Sequence, residues 1–453
     1  MKILIVGCGK IGATLLKNLV DEGHDVVAID SDVSVLEEVT NVHDVMSICG
    51  NGADSDVLEE AGAADADIFV AVTGSDEFNM LACFLAKKMG AKYTVARIRK
   101  AEYNDRSLDF LRRNLELDLA INPERLAAHE LFNIHKFPSA VKIESFSRRQ
   151  FEMIEIRLGE ESALDGMALS HLREKYEAQV LVCCVRRGEE VYIPDGNFVL
   201  KSQDRIGITA PPAQLQKFLR ELALLKRRAR SVMILGASRT ALYLAELLLS
   251  VGASVKIIEK DEARAAQACE ALPRATVIHG DGASQELLLE EGLSEMDAFA
   301  ALTGLDEENI LLSIFAASRG VKKTIAKVNR EEFIALAEKL GVDTVISPKQ
   351  LVGDTLTSFV RALENSRGSN VELLYKVMDE KVEAMEFKVV SDARLCGSPL
   401  KSLNLKKNVL IAGIVRERKS IAPTGESVIC AGDRVIVIAP GGARFSDLSD
   451  ILA

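Results

Sequence analysis

The stretch Ile3-Leu4-Ile5-Val6-Gly7-Cys8-Gly9-Lys10-Ile11-Gly12 decides how the rest of the chain is read. Its four branched apolar residues, bounded by glycine, have the character of a strand buried in a parallel sheet. The glycines that follow fall as G-x-G-x-x-G at a strand-to-helix turn. In that pattern Gly7 permits the tight turn, Gly9 lets a pyrophosphate approach the backbone, and Gly12 lets the helix pack against the strand. The helix that starts there aims free N–H groups and the positive end of its dipole at the phosphate. An acid about 20 residues on, at the end of the second strand, is needed to hold a ribose hydroxyl. Asp25-Val26-Val27-Ala28-Ile29-Asp30 is that strand, and Asp30 is that acid.

Outward from this motif, strands and helices alternate. After the helix from Ile11 to about Glu22 come a helix near 34–41, a strand at 44–49, the turn Gly50-Asn51-Gly52-Ala53 and a helix at 54–61. A fourth strand at 68–72 closes on Thr73-Gly74, followed by a helix at 76–89, a strand at 92–98, a helix at 101–114 and a short strand at 119–121. This order predicts a doubly wound parallel sheet. From about residue 141 the pattern becomes alternating strands (154–158, 180–185, 191–194, 205–209) with two helices (168–176 and 212–222), a small α+β module. On a strand, the adjacent Cys183 and Cys184 should face opposite ways. The basic run at 226–230 reads as a solvated junction rather than a nucleic-acid patch.

Then the plan repeats. Gly7 and Gly236 lie 229 residues apart, as do Asp30 and Glu259. Thr73-Gly74 recurs as Thr303-Gly304 and Asp76-Glu77-x-Asn79 as Asp306-Glu307-x-Asn309, both 230 apart, and Arg97 matches Lys327. The small module recurs too: Leu164-x-Gly166-x-x-Leu169 matches Leu395-x-Gly397-x-x-Leu400. The expected fold is therefore α/β: a tandem duplication of a Rossmann-like doubly wound sheet plus a small α+β module. The four domains are placed at 1–122, 141–225, 230–347 and 370–453.

Composition narrows the function. The 453 residues carry a net charge of −11, which argues against a nucleic-acid surface. No apolar run approaches the length of a membrane span, and the first strand begins too early to leave room for a signal peptide. Eight scattered cysteines read as reduced thiols, and six histidines show no ligand spacing, so no metal site is expected. Catalytic signatures are missing: no tyrosine begins Tyr-x-x-x-Lys, and there is no P-loop and no nucleophile elbow. Asp76, Glu77, Asp306 and Glu307 open helices, where a carboxylate stabilises the dipole without doing acid–base chemistry.

At the first site Asp30 favours a free ribose 2′-hydroxyl and so NAD(H) over NADP(H). Lys10 is either a phosphate partner or a solvated first-turn lysine. Asn51 and Thr73-Gly74 end strands at the ligand-binding edge of the sheet. The second site departs from the pattern. Ser238 replaces the middle glycine, Ala241 the third, and Arg239 offers a compensating phosphate partner, while Glu259 still suits a ribose.

In order and double occurrence, VGCGKIG with Asp30, AVTGSDEFNM (71–80) with ALTGLDEENI (301–310), ARIR (96–99) and the L-x-G-x-x-L and P-x-G marks of both small modules resemble one family. It is the TrkA family, peripheral regulatory subunits of Trk-type potassium uptake systems built from two tandem RCK/KTN domains. The resemblance spans essentially the whole chain. It implies a cytoplasmic, non-enzymatic protein, peripheral on the membrane, that gates potassium flux in response to nucleotides. Its partners would be a membrane-embedded potassium-translocating subunit and further copies of itself, in a dimer or tetramer. The cofactor implied is NAD(H), with ATP or ADP as a further candidate. Carried over by position, the first ligand set is Gly7, Cys8, Gly9, Lys10, Ile11, Asp30, Asn51, Thr73, Gly74 and Arg97. The second is Gly236, Ala237, Ser238, Arg239, Thr240, Glu259, Asp281, Thr303 and Gly304. The helices near 124–136 and 349–364 would carry the motion. The competing reading is a soluble NAD-dependent oxidoreductase with a duplicated Rossmann core, and a third is a free-standing redox or energy sensor with another partner.

Overall fold

The computed structural model describes residues 1–453 apart from 101, 104, 137–139, 147–150, 161, 177–178, 223, 225–228, 367–370, 379–380, 390–394, 418, 444 and 446. Most of the basic run at 226–230 therefore lies outside the described residues. The chain divides into two compact units, Met1–Phe132 with Arg230–Thr357, and Asn133–Ala229 with Ser358–Ala453.

The first unit holds two six-stranded parallel sheets. The first is built from β1 (Lys2–Val6), α1 (Lys10–Asp21), β2 (Asp25–Asp30), α2 (Val33–Thr40), β3 (Met46–Cys49), α3 (Ser55–Glu60), β4 (Ile68–Ala71), α4 (Asp76–Met89), β5 (Tyr93–Arg97), α5 (Asp105–Asn114), β6 (Leu119–Ile121) and α6 (Pro123–Lys136). Its strand order is β3-β2-β1-β4-β5-β6, so the direction of winding reverses between β1 and β4, where ligands bind in such folds. Ile3 to Val6 are buried on both faces, and α1 covers one of them with Leu15, Leu16 and Leu19. The opposite face packs Phe69 against Ala82, Cys83 and Ala86 of α4.

After α6 come β7 (Ala140–Phe146), β8 (Phe151–Arg157), α7 (Leu169–Lys175), β9 (Leu181–Arg187), β10 (Glu190–Tyr192), β11 (Arg205–Ala210) and α8 (Pro212–Glu221), which belong to the other unit. The parallel plan then resumes with β12 (Ser231–Leu235), α9 (Arg239–Ser250), β13 (Ser254–Glu259), α10 (Glu262–Ala271), β14 (Thr276–His279), α11 (Gln285–Glu290), β15 (Ala298–Ala301), α12 (Asp306–Ser318), β16 (Lys323–Lys327), α13 (Glu331–Lys339), β17 (Thr344–Ile346) and α14 (Pro348–Ser366). The order β14-β13-β12-β15-β16-β17 matches the first sheet. The two lobes pack through duplication-related helices. Arg125 of α6 lies over the Tyr243 ring of α9 at 5.9 Å, and Gly353 of α14 packs closely against Asn18 of α1.

The second unit holds two five-stranded antiparallel sheets. One has the order β10-β9-β11-β8-β7. The other, from β18 (Val371–Val377), β19 (Val382–Lys388), β20 (Leu410–Arg416), β21 (Lys419–Ile421) and β22 (Arg434–Pro440), has the order β18-β19-β22-β20-β21. The sequence pattern does not single out β7, an edge strand whose apolar residues alternate with Lys142, Glu144 and Ser145. Phe151, Met153, Met378, Ala412 and Ile436 join the two sheets in one core. Cys183 and Cys184 do not face opposite ways. The pairing of β11 with β9 slips between Gly207 and Ile208, leaving Cys183 as an extra residue, and both thiols enter this shared core. Burial pushes the Cys184 thiol well above its ordinary pKa.

Within that core Arg205 forks onto Glu155 at 2.7 and 2.8 Å, and the other Glu155 oxygen accepts the Met378 N–H at 3.1 Å. Both side chains are buried. Removing one partner strands the other's charge in a dry site, which costs about 3–5 kcal/mol. Arg205→Met should lower the stability of this unit by that amount in urea unfolding. An unchanged unfolding midpoint would contradict the role given to the pair.

Candidate nucleotide site

Asp30 at the end of β2 organises the first glycine loop. One of its oxygens accepts the Cys8 N–H at 2.7 Å and the other accepts the Asp32 N–H at 3.0 Å. Gly7 turns with φ of +91°, and a Cβ there would lie 2.9 Å from the Thr73 nitrogen. Gly12 allows α1 to start directly against the loop, since a Cβ at Gly12 would sit 1.9 Å from the Gly7 carbonyl oxygen. Gly9 differs from both. It precedes α1 with extended backbone, makes no side-chain cap, and a Cβ there would meet nothing within 4 Å. The first N–H groups of α1 therefore have no side chain to satisfy them and open onto free space.

That space is a cavity of about 850 Å³ along the carboxyl edge of the sheet, within the range of sites that hold one small-molecule ligand. Every residue of the first expected set lines it except Cys8. The Cys8 side chain is buried under the loop, and burial together with the neighbouring Asp30 carboxylate pushes its thiol up to about 12. Cys8 thus contributes through its backbone. The strand order sets out the lining groups in a row: Asn51 after β3, Asp30 on β2, the glycine loop after β1, Thr73 after β4, Arg97 on β5 and Glu124 after β6.

Asn79 fixes the middle of this row. It is fully buried, its amide oxygen accepts both the N–H and hydroxyl of Thr73, and its amide nitrogen donates to the Arg97 carbonyl at 2.9 Å. Asp76, also buried, accepts the N–H groups of Arg99 and Lys100 at 2.8 and 2.7 Å. It is thus a staple for the loop after β5 as well as a residue at the start of α4. The Arg97 guanidinium donates to the Thr73 carbonyl. Burial, then the neighbouring Arg99, holds its pKa below the usual arginine range.

The second lobe repeats this scaffold. Glu259 accepts the Ala237 N–H at 2.6 Å, and Asn309 clamps Thr303 and the Lys327 carbonyl. One difference matters. Ser238, at the position of Gly9, turns its hydroxyl onto the N–H of Ala241 and caps α9. The helix start left uncapped in the first lobe is capped in the second by its own side chain. Asp281 is engaged by Lys260 at 2.9 Å on the surface. Of the second expected set, Thr240 alone lines the cavity described above.

Residues from the second lobe nevertheless close that cavity. Ile11, Arg97, Arg99, Pro123 and Glu124 meet there with their duplicates Thr240, Lys327, Asn329, Pro348 and Lys349. A local pseudo-twofold relation therefore passes through it. Arg99, Glu124, Lys327, Asn329 and Lys349 were not part of the expected site. No linear motif marks a residue brought in by the other lobe, though the 230-residue match of Arg97 to Lys327 was a signal available in the sequence.

Family models for the TrkA-N domain match residues 3–123 and 232–348, and models for the TrkA-C domain match 153–223 and 384–447. A Trk system potassium uptake protein TrkA homolog of Archaeoglobus fulgidus is 34% identical over 440 residues, covering 97% of each chain. The Trk system potassium uptake protein TrkA of Haemophilus influenzae is 30% identical over 440 residues, covering 96% of this chain and 95% of its own. Among solved structures, a GsuK channel bound to NAD superposes with a TM-score of 0.64 at 16% identity, covering 97% of this chain and 76% of that one. This last likeness is one of fold.

The two glycines separate seat from scaffold. Gly9→Ala should fold and melt like the unaltered protein yet lose NADH affinity by about tenfold or more, equal to at least about 1.4 kcal/mol. Gly12→Ala should lower the melting temperature itself. Calorimetric titration alongside thermal melts checks both, and normal NADH binding by Gly9→Ala would contradict the open seat.

Proposed function

The chain belongs to the TrkA family, and we infer that it is a nucleotide-binding regulatory subunit of a Trk-type potassium uptake system. The observation that carries the nucleotide part is the uncapped start of α1 at Gly9, facing the cavity with Asp30 to one side and Arg97 to the other. NAD(H) is the ligand that best suits this row, with the adenosine ribose at Asp30 and the pyrophosphate over Gly7 to Ile11. ATP or ADP would use the same adenosine end. The NAD named for the solved channel of like fold supports this choice. The division into 1–122, 141–225, 230–347 and 370–453 is our reading of the two repeated pairs. The second set, Gly236 to Thr240 with Glu259, Asp281, Thr303 and Gly304, is proposed as a weaker seat, because a ligand there must displace the Ser238 cap.

Regulation fits the chemistry of the first site better than catalysis. Asp30 is occupied by two backbone N–H groups, Arg97 by a backbone carbonyl, and Asp76 by two more N–H groups. These groups hold and orient a ligand, and none of them is placed as a proton shuttle. A nucleotide acts on a conformational equilibrium only through its different affinities for the two states, and a coupling of about 1–3 kcal/mol is enough for a switch. The partner proposed is a membrane-embedded potassium-translocating subunit whose cytoplasmic face this chain would meet, as a dimer or tetramer. Among the described residues no helix is long and apolar enough to cross a membrane, so translocation itself would fall to that partner.

Potassium flux through the cognate membrane subunit in liposomes, with and without this protein and with NADH, NAD+ and ATP titrated, tests the proposal. A nucleotide-dependent change in flux that requires this protein is expected. Flux indifferent to the protein at every nucleotide concentration would overturn it.

A further inference from the structure

We propose that the second lobe completes the first site. Lys327 and Lys349 read the charge of the ligand group that lies over β5, and disfavour a cationic one. This rests on the reading of the cavity as a dinucleotide site. Neighbouring strands are about 4.8 Å apart, so the distance from Asp30 on β2, past β1 and β4, to Arg97 on β5 is about 14 Å. A dinucleotide anchored by its adenosine ribose at Asp30 and by its pyrophosphate at the glycine loop must place its other base at the β5 end.

What waits there is strongly cationic. Arg97 and Arg99 come from the first lobe and Lys327 and Lys349 from the second; Glu124 is the one carboxylate among the cavity-lining groups at this end, and the buried Asp76 and Asp306 behind the arginines and Lys327 offset part of their charge. The duplication makes the asymmetry plain. Glu124 opens α6, and its counterpart Lys349 opens α14, so the same position carries opposite charges in the two lobes of one cavity. The Lys327 ammonium donates to the Leu302 carbonyl at 3.1 Å, which leaves two protons for a ligand. Burial lowers its pKa against the opposing pull of Asp306 and Glu124.

A second observation points to an occupant. Arg97 Nε and Glu124 Oε2 are buried and make no hydrogen bond among the described residues, and Arg99 Nε has only the long ion pair to Asp76 Oδ1 at 3.9 Å, with Arg99 also 3.9 Å from Glu124 Oε1. A buried donor and a buried acceptor left without hydrogen bonds in one cavity form a seat for a polar group such as a carboxamide, which both donates and accepts. The oxidised nicotinamide carries a positive ring and the reduced one does not. The two otherwise share this carboxamide. The cations at the β5 end therefore favour the reduced dinucleotide, and two of them belong to the second lobe.

The test compares dissociation constants for NADH, NAD+ and AMP in the full-length protein and its Lys327→Gln, Lys349→Glu and Glu124→Gln variants. AMP reaches only the Asp30 and glycine-loop end, so its affinity reports that the site is intact. The unaltered protein should prefer NADH over NAD+. Lys349→Glu should shrink that preference by about tenfold, the scale of one charge reversed near a half-buried ligand. Lys327→Gln should shrink it less, and Glu124→Gln should enlarge it. AMP affinity should stay the same throughout. If no nucleotide binds the unaltered protein, the dinucleotide site itself fails. If NADH, NAD+ and AMP all bind but their ratios are the same in every variant, the site stands and the role of the second lobe is overturned.

Discussion

The carboxylate of Asp30 taking the N–H of Cys8 is the contact on which the rest of the ligand edge depends. It pulls the glycine loop back over the end of β2. Gly9 can then sit ahead of α1 without a capping side chain, and the helix start remains unsatisfied. A helix start that no side chain caps is met by water or by an anion, so this geometry suits a phosphate. The same carboxylate that would hold a ribose hydroxyl would thus also shape the seat proposed for the phosphates beside it.

The second lobe shows how little is needed to change that outcome. Glu259 makes the same strap to Ala237, and the Asn309 clamp is reproduced nearly atom for atom. Yet one hydroxyl, at Ser238, caps α9 and takes over part of the role a phosphate would have. The duplicated lobe has kept its scaffold while its functional edge has diverged. Its Lys327, Asn329 and Lys349 wall the neighbouring cavity instead. Duplication here has produced two unequal halves that meet around one cavity.

Much of the fold was legible in the sequence. G-x-G-x-x-G after a branched strand, Asp30 at its proper spacing and the near-constant 229–231 offset specify two parallel sheets of equal order and a repeated small module. These features are local, and the physics behind them is local too. The bulge at Cys183 was not legible, because it is set by the pairing of β9 with β11 rather than by either strand alone. The roles of Asp76 and Asn79 were only half legible. Their recurrence marked them, but the Arg97 carbonyl that Asn79 donates to and the Arg99 N–H that Asp76 accepts lie about 20 residues away in sequence. Lys349 and Glu124 were least legible, since a wall made by two lobes leaves no spacing in the chain to read.

The central claim is that the open start of α1, and not the self-capped start of α9, is where a nucleotide sits. Amide hydrogen exchange, resolved to single residues and followed with and without saturating NADH, tests it most directly. The account predicts that the amides of Lys10, Ile11 and Gly12 gain protection on binding, while those of Thr240, Ala241 and Leu242 change less. Equal protection at both helix starts, or protection confined to α9, would contradict it.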